Sequence, residues 1–354
     1  MTRFIKNQSA RAAAAEGEDP AARALGFLMA LFQRRLASST WSLKKSLERR
    51  ADLLEKKLGK ASEIAKDLPP EIPDEDDLEE MDDADREFWE EKLEALVFTR
   101  NSQEVGREVE ELRKLSEQAD SVMKNGAEAK LSKLKSILSQ EGFFEQSDKR
   151  LLIFTEFKET LDYLVERLRE WGFRVGFIHG GMKPDPRDEP GTRLFTEQHF
   201  WDGDIQILVA TEAAGEGINL QCCHIMMNYD IPWNPNRLEQ RMGRIHRYGQ
   251  KNDCLIFNFV ATNTVEGRVL EKLLQKLQEI RDALEDDTVF NLVGEILPAS
   301  YVERVLRDYY AGKLGDQDLE DRFLRNVNED RFKSICQNAL EGLATKNLNL
   351  PVLI

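Results

Sequence analysis

The chain has 354 residues, with 65 acidic and 50 basic side chains and a formal net charge of −15, a length that suggests two domains or one domain with a large insertion. No apolar run reaches the ~18 residues of a membrane span, Met1 to Ala10 has no apolar signal core, and the four cysteines (Cys222, Cys223, Cys254, Cys336) are too few and too oddly spaced for a disulfide framework or a CxxC metal site. A reducing, cytoplasmic setting with no metal site is the expectation, and taken as an average the −15 argues against nucleic acid, whose phosphates would be repelled.

The charge is unevenly placed. From Arg34 to Lys66 ten Lys and Arg stand against four acids. Leu43, Leu47, Ala51, Leu54 and Leu58 recur at three- and four-residue steps, which predicts a helix with one apolar stripe. Ser42 is a candidate cap for its start. Lys44, Lys45, Arg49, Arg50, Lys56 and Lys57 lie mostly off the stripe, so they read as a solvated face or, on the functional alternative, as a basic surface beside a nucleic-acid path. Between Glu71 and Glu94, 14 acids face only Arg86 and Lys92, a balance of −12. Opening on Leu68-Pro69-Pro70-Glu71-Ile72-Pro73, this run reads as a solvated, partly disordered tether or insertion loop. A second helical stretch, Glu87 to Gln140, follows. Residues 1–145 therefore read as an all-helical region holding a basic helix and the acidic linker 71–94.

From Leu151 the pattern changes. Short apolar runs at Leu151–Phe154, Phe173–Ile178, Ile205–Ala210, Ile225–Tyr229 and Leu255–Val260 alternate with helices at Lys158–Trp171 (closed by Gly172), about Thr192–Trp201, about Asn236–Arg244 and from Val265 to Leu284. Such spacing predicts a parallel sheet with helices on both faces. Ligands of these sheets bind at the carboxyl ends of the strands. The predicted α/β domain covers 146–286. A helical extension, 287–354, has short helices at Tyr301–Tyr310, Asp318–Asn326 and Arg331–Leu343. The apolar ending Leu348 to Ile354 suggests a chain cut from a longer one.

Two features follow strands. After Ile205–Ala210 comes Thr211-Glu212-Ala213-Ala214-Gly215-Glu216-Gly217-Ile218-Asn219-Leu220. Its two glycines let backbone amides approach a phosphate, although taken alone a plain tight turn is the plainer explanation. The second feature is Gln240-Arg241-Met242-Gly243-Arg244-Ile245-His246-Arg247-Tyr248-Gly249-Gln250. On a helix, Gln240, Arg244 and Arg247 share one face, and paired guanidiniums suit the charge on a transferring phosphoryl group. A charged surface helix is the plainer explanation. The pair Cys222-Cys223 with His224 reads as buried packing rather than a metal site, His246 as packing, and Trp233 as a turn anchor.

Taken together, these features resemble the second RecA-like lobe of superfamily-two helicases and translocases, in the chromatin-remodeller-like (SNF-type) branch, nearest to bacterial RapA-like ATPases. Leu152-Ile153-Phe154-Thr155-Glu156-Phe157 looks like motif IV. His179-Gly180-Gly181-Met182 with Arg193 looks like the segment between motifs IV and V, Ile207 through Leu220 like motif V, and Asn228 through Pro235 followed by Gln240–Gln250 like motif VI with its lead-in. Gln33-Arg34-Arg35-Leu36-Ala37-Ser38-Ser39 resembles the start of the helical insertion of that branch. The resemblance implies that Arg244 and Arg247 are arginine fingers and that Gln240 helps hold the terminal phosphate or attacking water. It further implies that Gly215, Glu216 and Gly217 line the nucleotide cleft, and that Thr211, with His179 and Gly180 nearby, meets a nucleic-acid backbone. Two departures stand out. Glu212 and Glu216 occupy positions where eukaryotic remodellers carry Arg and an apolar residue, and the loop Lys183–Gly191 is irregular.

An ATP motor also needs a P-loop Lys and a magnesium-binding acid. The chain contains no GxxxxGK[ST]. Asp74-Glu75-Asp76-Asp77 mimics the acidic motif in letters only, because no buried apolar strand leads into it. The resemblance thus implies half an active site, inactive alone. The cofactors would be ATP and Mg2+, with the magnesium ligands on an N-terminal RecA-like lobe in the same longer chain or a separate subunit. Double-stranded DNA is the expected track, protein partners could dock on the helical regions, and no membrane is involved. The alternatives are a non-catalytic helicase-like binding or regulatory module and an RNA helicase of the same superfamily.

Overall fold

The computed structural model describes residues 1–14, 20–57, 83–100, 105–125, 128–211, 218–232, 235–245, 250 and 252–261, with short stretches between 267 and 279 and between 301 and 325. Among the described residues six helices come first: α1 (Thr2–Ala14), α2 (Pro20–Ser38), α3 (Thr40–Lys57), α4 (Asp83–Arg100), α5 (Val105–Lys124) and α6 (Ala129–Gln140). The α/β part follows as β1 (Leu151–Thr155), α7 (Lys158–Glu170), β2 (Val175–Ile178), α8 (Arg193–Asp202), β3 (Ile207–Thr211), β4 (Ile225–Asn228), α9 (Pro235–Met242) and β5 (Leu255–Asn258). Helix α10 (Asp316–Arg325) lies beyond. No described helix is long and apolar enough to cross a membrane.

The five described strands form one parallel sheet in the order β2-β3-β1-β4-β5. The predicted α/β class with a parallel sheet covered by helices is what the chain adopts. Because side chains alternate across a strand, each strand feeds two cores. Leu151, Ile153, Ile207, Val209 and Met227 pack under α6 and α7. Leu152, Phe154, Leu208, Ala210 and Met226 pack on the other face with Phe200 and Ile245. A third core joins α1 to α5 through Phe4, Leu28, Met29, Leu47, Leu54 and Leu112, and takes in Val269, Val305, Tyr309 and Leu319 from later in the chain.

The helix ends follow local chemistry. Gly172 closes α7 with φ at 91°, and the Phe173 amide reaches back to the Leu168 carbonyl at 3.2 Å. Thr192 caps α8 by accepting from the Phe195 amide at 3.2 Å, and Gly203 ends it with φ at 88°. Replacing Gly203 with Ala should destabilise the fold by about 1 kcal/mol, since a Cβ strains that left-handed backbone and meets Arg150 Nη2 at 3.1 Å. Urea unfolding measures this, and an unchanged midpoint would remove the argument.

Three expectations need correction. The basic helix is capped by Ser39, whose Oγ accepts from the Ser42 amide at 3.0 Å. Ser42 itself is fully buried. Nor do the arginines of this region form a solvated or nucleic-acid-facing surface. Arg35 makes a two-pronged pair with Glu90 at 2.9 and 3.0 Å, Arg49 reaches Glu159 at 2.6 Å, and Arg50 lies between Glu94 and Glu108. Lys44 pairs with Asp120 at 2.8 Å. The partners Glu90 and Glu94 belong to the acidic run, so residues 83–94 are a packed helix, not a tether. Its burial against α2 and α3 neutralises charge that a count along the sequence leaves unpaired. The earlier part of the run, 71–82, lies outside the described residues, as do 331–343.

Candidate functional site

In a parallel sheet every strand delivers its following residue to the same edge. Here that edge gathers Glu156, His179, Thr211, Asp230 and Phe259, at or within two residues of the ends of β1 to β5. The chain leaves β1 toward β2 and β3 on one side, and leaves β4 toward β5 on the other. The crevice between the ends of β1 and β4 is therefore the switch point of the sheet, where ligands of such folds bind.

A buried carboxylate fills that crevice. Asp230 Oδ2 accepts from Ser38 Oγ and Thr155 Oγ1, each at 2.6 Å, and Oδ1 accepts from the Glu156 amide at 2.8 Å. Arg241 lies alongside, Nη2 to Oδ1 at 3.8 Å, and donates to the Asp230 carbonyl at 2.8 Å and to Asn228 Oδ1 at 3.2 Å. Lys130, from α6, donates to the carbonyls of Ala37 at 2.6 Å and Tyr229 at 2.7 Å. Burial pushes the Asp230 carboxyl up, opposed by Arg241 and Lys130. Burial likewise draws the Lys130 ammonium down to about 8, opposed by Asp230.

The Lys130 shift has a testable sign. The unfolded chain holds this proton up to the ordinary 10.5, whereas the folded chain releases it near 8. The unfolded state binds more protons across that window, so stability rises with pH between those values. Urea unfolding from pH 7 to 10.5 should show this rise in the native chain and lose its Lys130 share in Lys130→Met; identical slopes would refute it.

The residues singled out from the sequence are placed as follows. Gln240 is exposed on α9. Arg244 is not on that helix, which stops at Met242. A tight turn follows, with the Arg244 amide on the Arg241 carbonyl at 3.0 Å and the Ile245 amide on the Met242 carbonyl at 3.2 Å. The expected single helical face through Gln240 and Arg244 is thus interrupted, because Ile245 turns into the core, where it is fully buried. Arg244 instead sits in a turn tied to the motif V segment, its carbonyl accepting from the Leu220 amide at 3.3 Å. Arg247, Gly215, Glu216 and Gly217 lie outside the described residues, as do Trp233 and His246.

Thr211 is buried at the end of β3, in register with Thr155. His179 stacks on Phe177 with centroids 6.0 Å apart, and its Nδ1 accepts from the Gly181 amide at 3.2 Å. Gly180 is buried, and the loop it begins is clamped by Arg193, which donates to the carbonyls of Gly180 and Met182. Cys223 is packed in the core, its Sγ within hydrogen-bonding distance of the Arg150 and Ile225 carbonyls at 3.2 and 3.0 Å and its thiol pushed up to about 12 by burial.

Sequence reasoning gave no anchoring role to four polar residues: Ser38, Lys130, Asp230 and Arg241. Only Asp230 had a signal, a lone acid ending an apolar strand. Gln250 was read as a family signature; it also donates to the carbonyls of Gln221, Cys223 and Ile245 at 3.1 to 3.2 Å, pinning the far end of the segment.

Residues 129–249 match the helicase conserved C-terminal domain family. The uncharacterized ATP-dependent helicase YqhH of Bacillus subtilis is 45% identical over 130 residues, 37% of this chain and 22% of YqhH. The ATP-dependent RNA helicase p62 of Drosophila melanogaster is 33% identical over 159 residues, 45% of this chain and 21% of p62. Helicase SWR1 of Candida albicans is 34% identical over 211 residues, 59% of this chain and 12% of SWR1. The matched segments span about a fifth or less of these relatives.

Proposed function

Because residues 129–249 form a helicase conserved C-terminal domain, we propose that this chain is the second lobe of an ATP-driven double-stranded-DNA translocase. A separate RecA-like lobe, on the same longer polypeptide or another subunit, binds ATP and Mg2+ through a P-loop and an acidic motif. This chain brings Arg244 and Arg247 to the terminal phosphate as arginine fingers, with Gln240 holding that phosphate or the attacking water. Gly215, Glu216 and Gly217 line the cleft, and Thr211, His179 and Gly180 follow the nucleic-acid backbone. The lobe corresponds to 146–286, flanked by the helical regions 1–145 and 287–354, which offer surfaces for protein partners in a cytoplasmic setting.

The observation that carries this reading is the turn at Arg244. It is anchored twice, by Ile245 in the core and by Arg241 on the ends of β4, beside the switch-point crevice. A guanidinium on so fixed a support suits transition-state charge better than one on a loose surface helix, because no reorganisation is needed at the moment of reaction. Arginine also stays ionised and forks onto phosphate oxygens, so the residues present fit a phosphoryl group rather than a metal ion. Magnesium, when bound, would neutralise charge on the phosphates. Contacts to backbone phosphate carry little sequence preference.

The test is ATP hydrolysis by the chain alone and by the chain joined to an ATP-binding lobe, each with double-stranded DNA or RNA. No turnover alone and DNA-stimulated turnover when joined are expected. Robust turnover by the isolated chain would defeat the half-site reading. Stimulation by RNA in preference to DNA would favour the RNA-helicase alternative, which the named activity of p62 keeps in play.

A further inference from the structure

The polar shell of Asp230 is not supplied by the sheet edge alone. Thr155, the Glu156 amide and Arg241 come from the sheet and from α9. Ser38 comes from the last residue of α2, more than a hundred residues away in the helical arm. Lys130 joins the two parts, since its ammonium donates at once to the end of α2, through Ala37, and to the chain beside Asp230, through Tyr229.

The hydrogens in this shell run in one direction. Ser38 has one hydroxyl hydrogen and gives it to the carboxylate. Its contact with Thr160 Oγ1 at 2.8 Å must then be accepted from Thr160. Thr160 in turn accepts from Ser39 Oγ at 2.8 Å, and Ser39 Oγ accepts the amide that starts α3. The relay Ser39 to Thr160 to Ser38 to Asp230 closes only when the junction of α2 and α3 sits in this one register. Apolar packing would hold the arm with less specificity, because a fully connected buried polar network tolerates no slip. Arg34, on the same turn of α2, adds an ion pair to Glu156 at 2.5 Å.

We propose that the α2–α3 junction is a positioning latch for the finger-bearing turn. With the arm docked, Ser38 and Lys130 complete the shell of Asp230. The satisfied Asp230 and Asn228 fix Arg241, and Arg241 fixes the last turn of α9 and residues 243–245. With the arm displaced, a buried carboxylate loses a donor and Arg241 becomes its nearest alternative, which pulls the turn out of place. The arm thereby governs whether Arg244 is held ready. The catalytic consequence rests on the function proposed above; the mechanical one does not.

Hydrogen–deuterium exchange on the whole chain tests the mechanical part. Ser38→Ala should speed exchange of the Arg244 and Ile245 amides about tenfold or more, the scale of one lost hydrogen bond to a charged group, and Ser38→Thr should restore the native rate. Arg113→Ala breaks exposed pairs with Asp52 and Glu55 in the same arm and should leave those amides unchanged. If Ser38→Ala does not fold, Thr160→Val interrupts the same relay and carries the test. Faster exchange confined to α2 and α3, with 244–245 untouched, would overturn the latch. In the enzyme joined to its ATP-binding lobe, Ser38→Ala should lower kcat about tenfold with KM for ATP unchanged. A normal kcat for Arg244→Ala in that same enzyme would defeat the finger assignment while leaving the exchange result intact.

Discussion

Arg244→Ala, in the enzyme that joins this lobe to an ATP-binding lobe, is expected to lower kcat for ATP hydrolysis by about a thousandfold or more, the range for loss of an arginine finger. The side chain projects from a turn whose backbone is fixed on both sides. The Arg244 amide donates to the Arg241 carbonyl and its own carbonyl accepts from Leu220, so truncation beyond Cβ leaves the turn intact. In the role proposed for Arg244 the lost interaction would be with charge that develops in the transition state, so KM for ATP should stay within a few-fold while kcat falls. Arg244→Lys should recover little, because a point charge does not reproduce the planar fork. Steady-state ATPase assays with unfolding curves of each variant measure this. A kcat within tenfold of the parent enzyme for Arg244→Ala would remove the assignment.

The largest stability effect is expected at Arg50. Its guanidinium is 1% exposed, with Nη1 on Glu94 and Nε and Nη2 on Glu108 Oε1 at 2.9 and 2.7 Å. Arg50→Ala removes the cation and leaves two carboxylates against the arm core, which should destabilise the fold by about 3–5 kcal/mol. Replacing all three with Met, Leu and Leu should come out close to neutral, since the desolvation of three charges disappears with their attraction. The single variant should also respond to pH. Burial raises the Glu94 carboxyl even with Arg50 beside it, and more so without. A carboxyl raised in the folded state contributes fully below its unfolded value and loses that contribution as pH rises through the folded one. Arg50→Ala should therefore recover part of its deficit on going from pH 7 toward pH 4. Urea unfolding at several pH values is the measurement; a deficit below 1 kcal/mol at pH 7 would mean the network adds little.

The arm and the sheet differed sharply in how far they could be read in advance. Runs such as Ile207–Ala210 are continuously apolar and buried on both faces, a signal that needs no partner to be recognised. Gly172 was legible for the same local reason, since a helix end needs a residue that tolerates positive φ. The boundary of α9 was misjudged by two residues because nothing local says that Ile245 belongs to the opposite core. Ser39 and Ser42 are equally good caps by type. Only the contact with Thr160 and the burial of Ser42 decide between them.

The charge of the chain shows the same division. By itself the sequence determined the motif order, the parallel α/β class and the types of residue able to meet a phosphate, because each depends on spacing along one strand or helix. It could not say that Arg35, Arg49 and Arg50 are consumed by Glu90, Glu94, Glu108 and Glu159, or that Asp230 draws donors from Ser38, Thr155 and the Glu156 amide. Those partners stand from 41 to 192 residues apart. Coulomb and hydrogen-bond energies depend on distance in space and on the loss of water around the pair, and only the tertiary structure sets either. The net −15 therefore excluded nothing: part of the acidic excess is the inner lining of a helical arm whose arginines it neutralises.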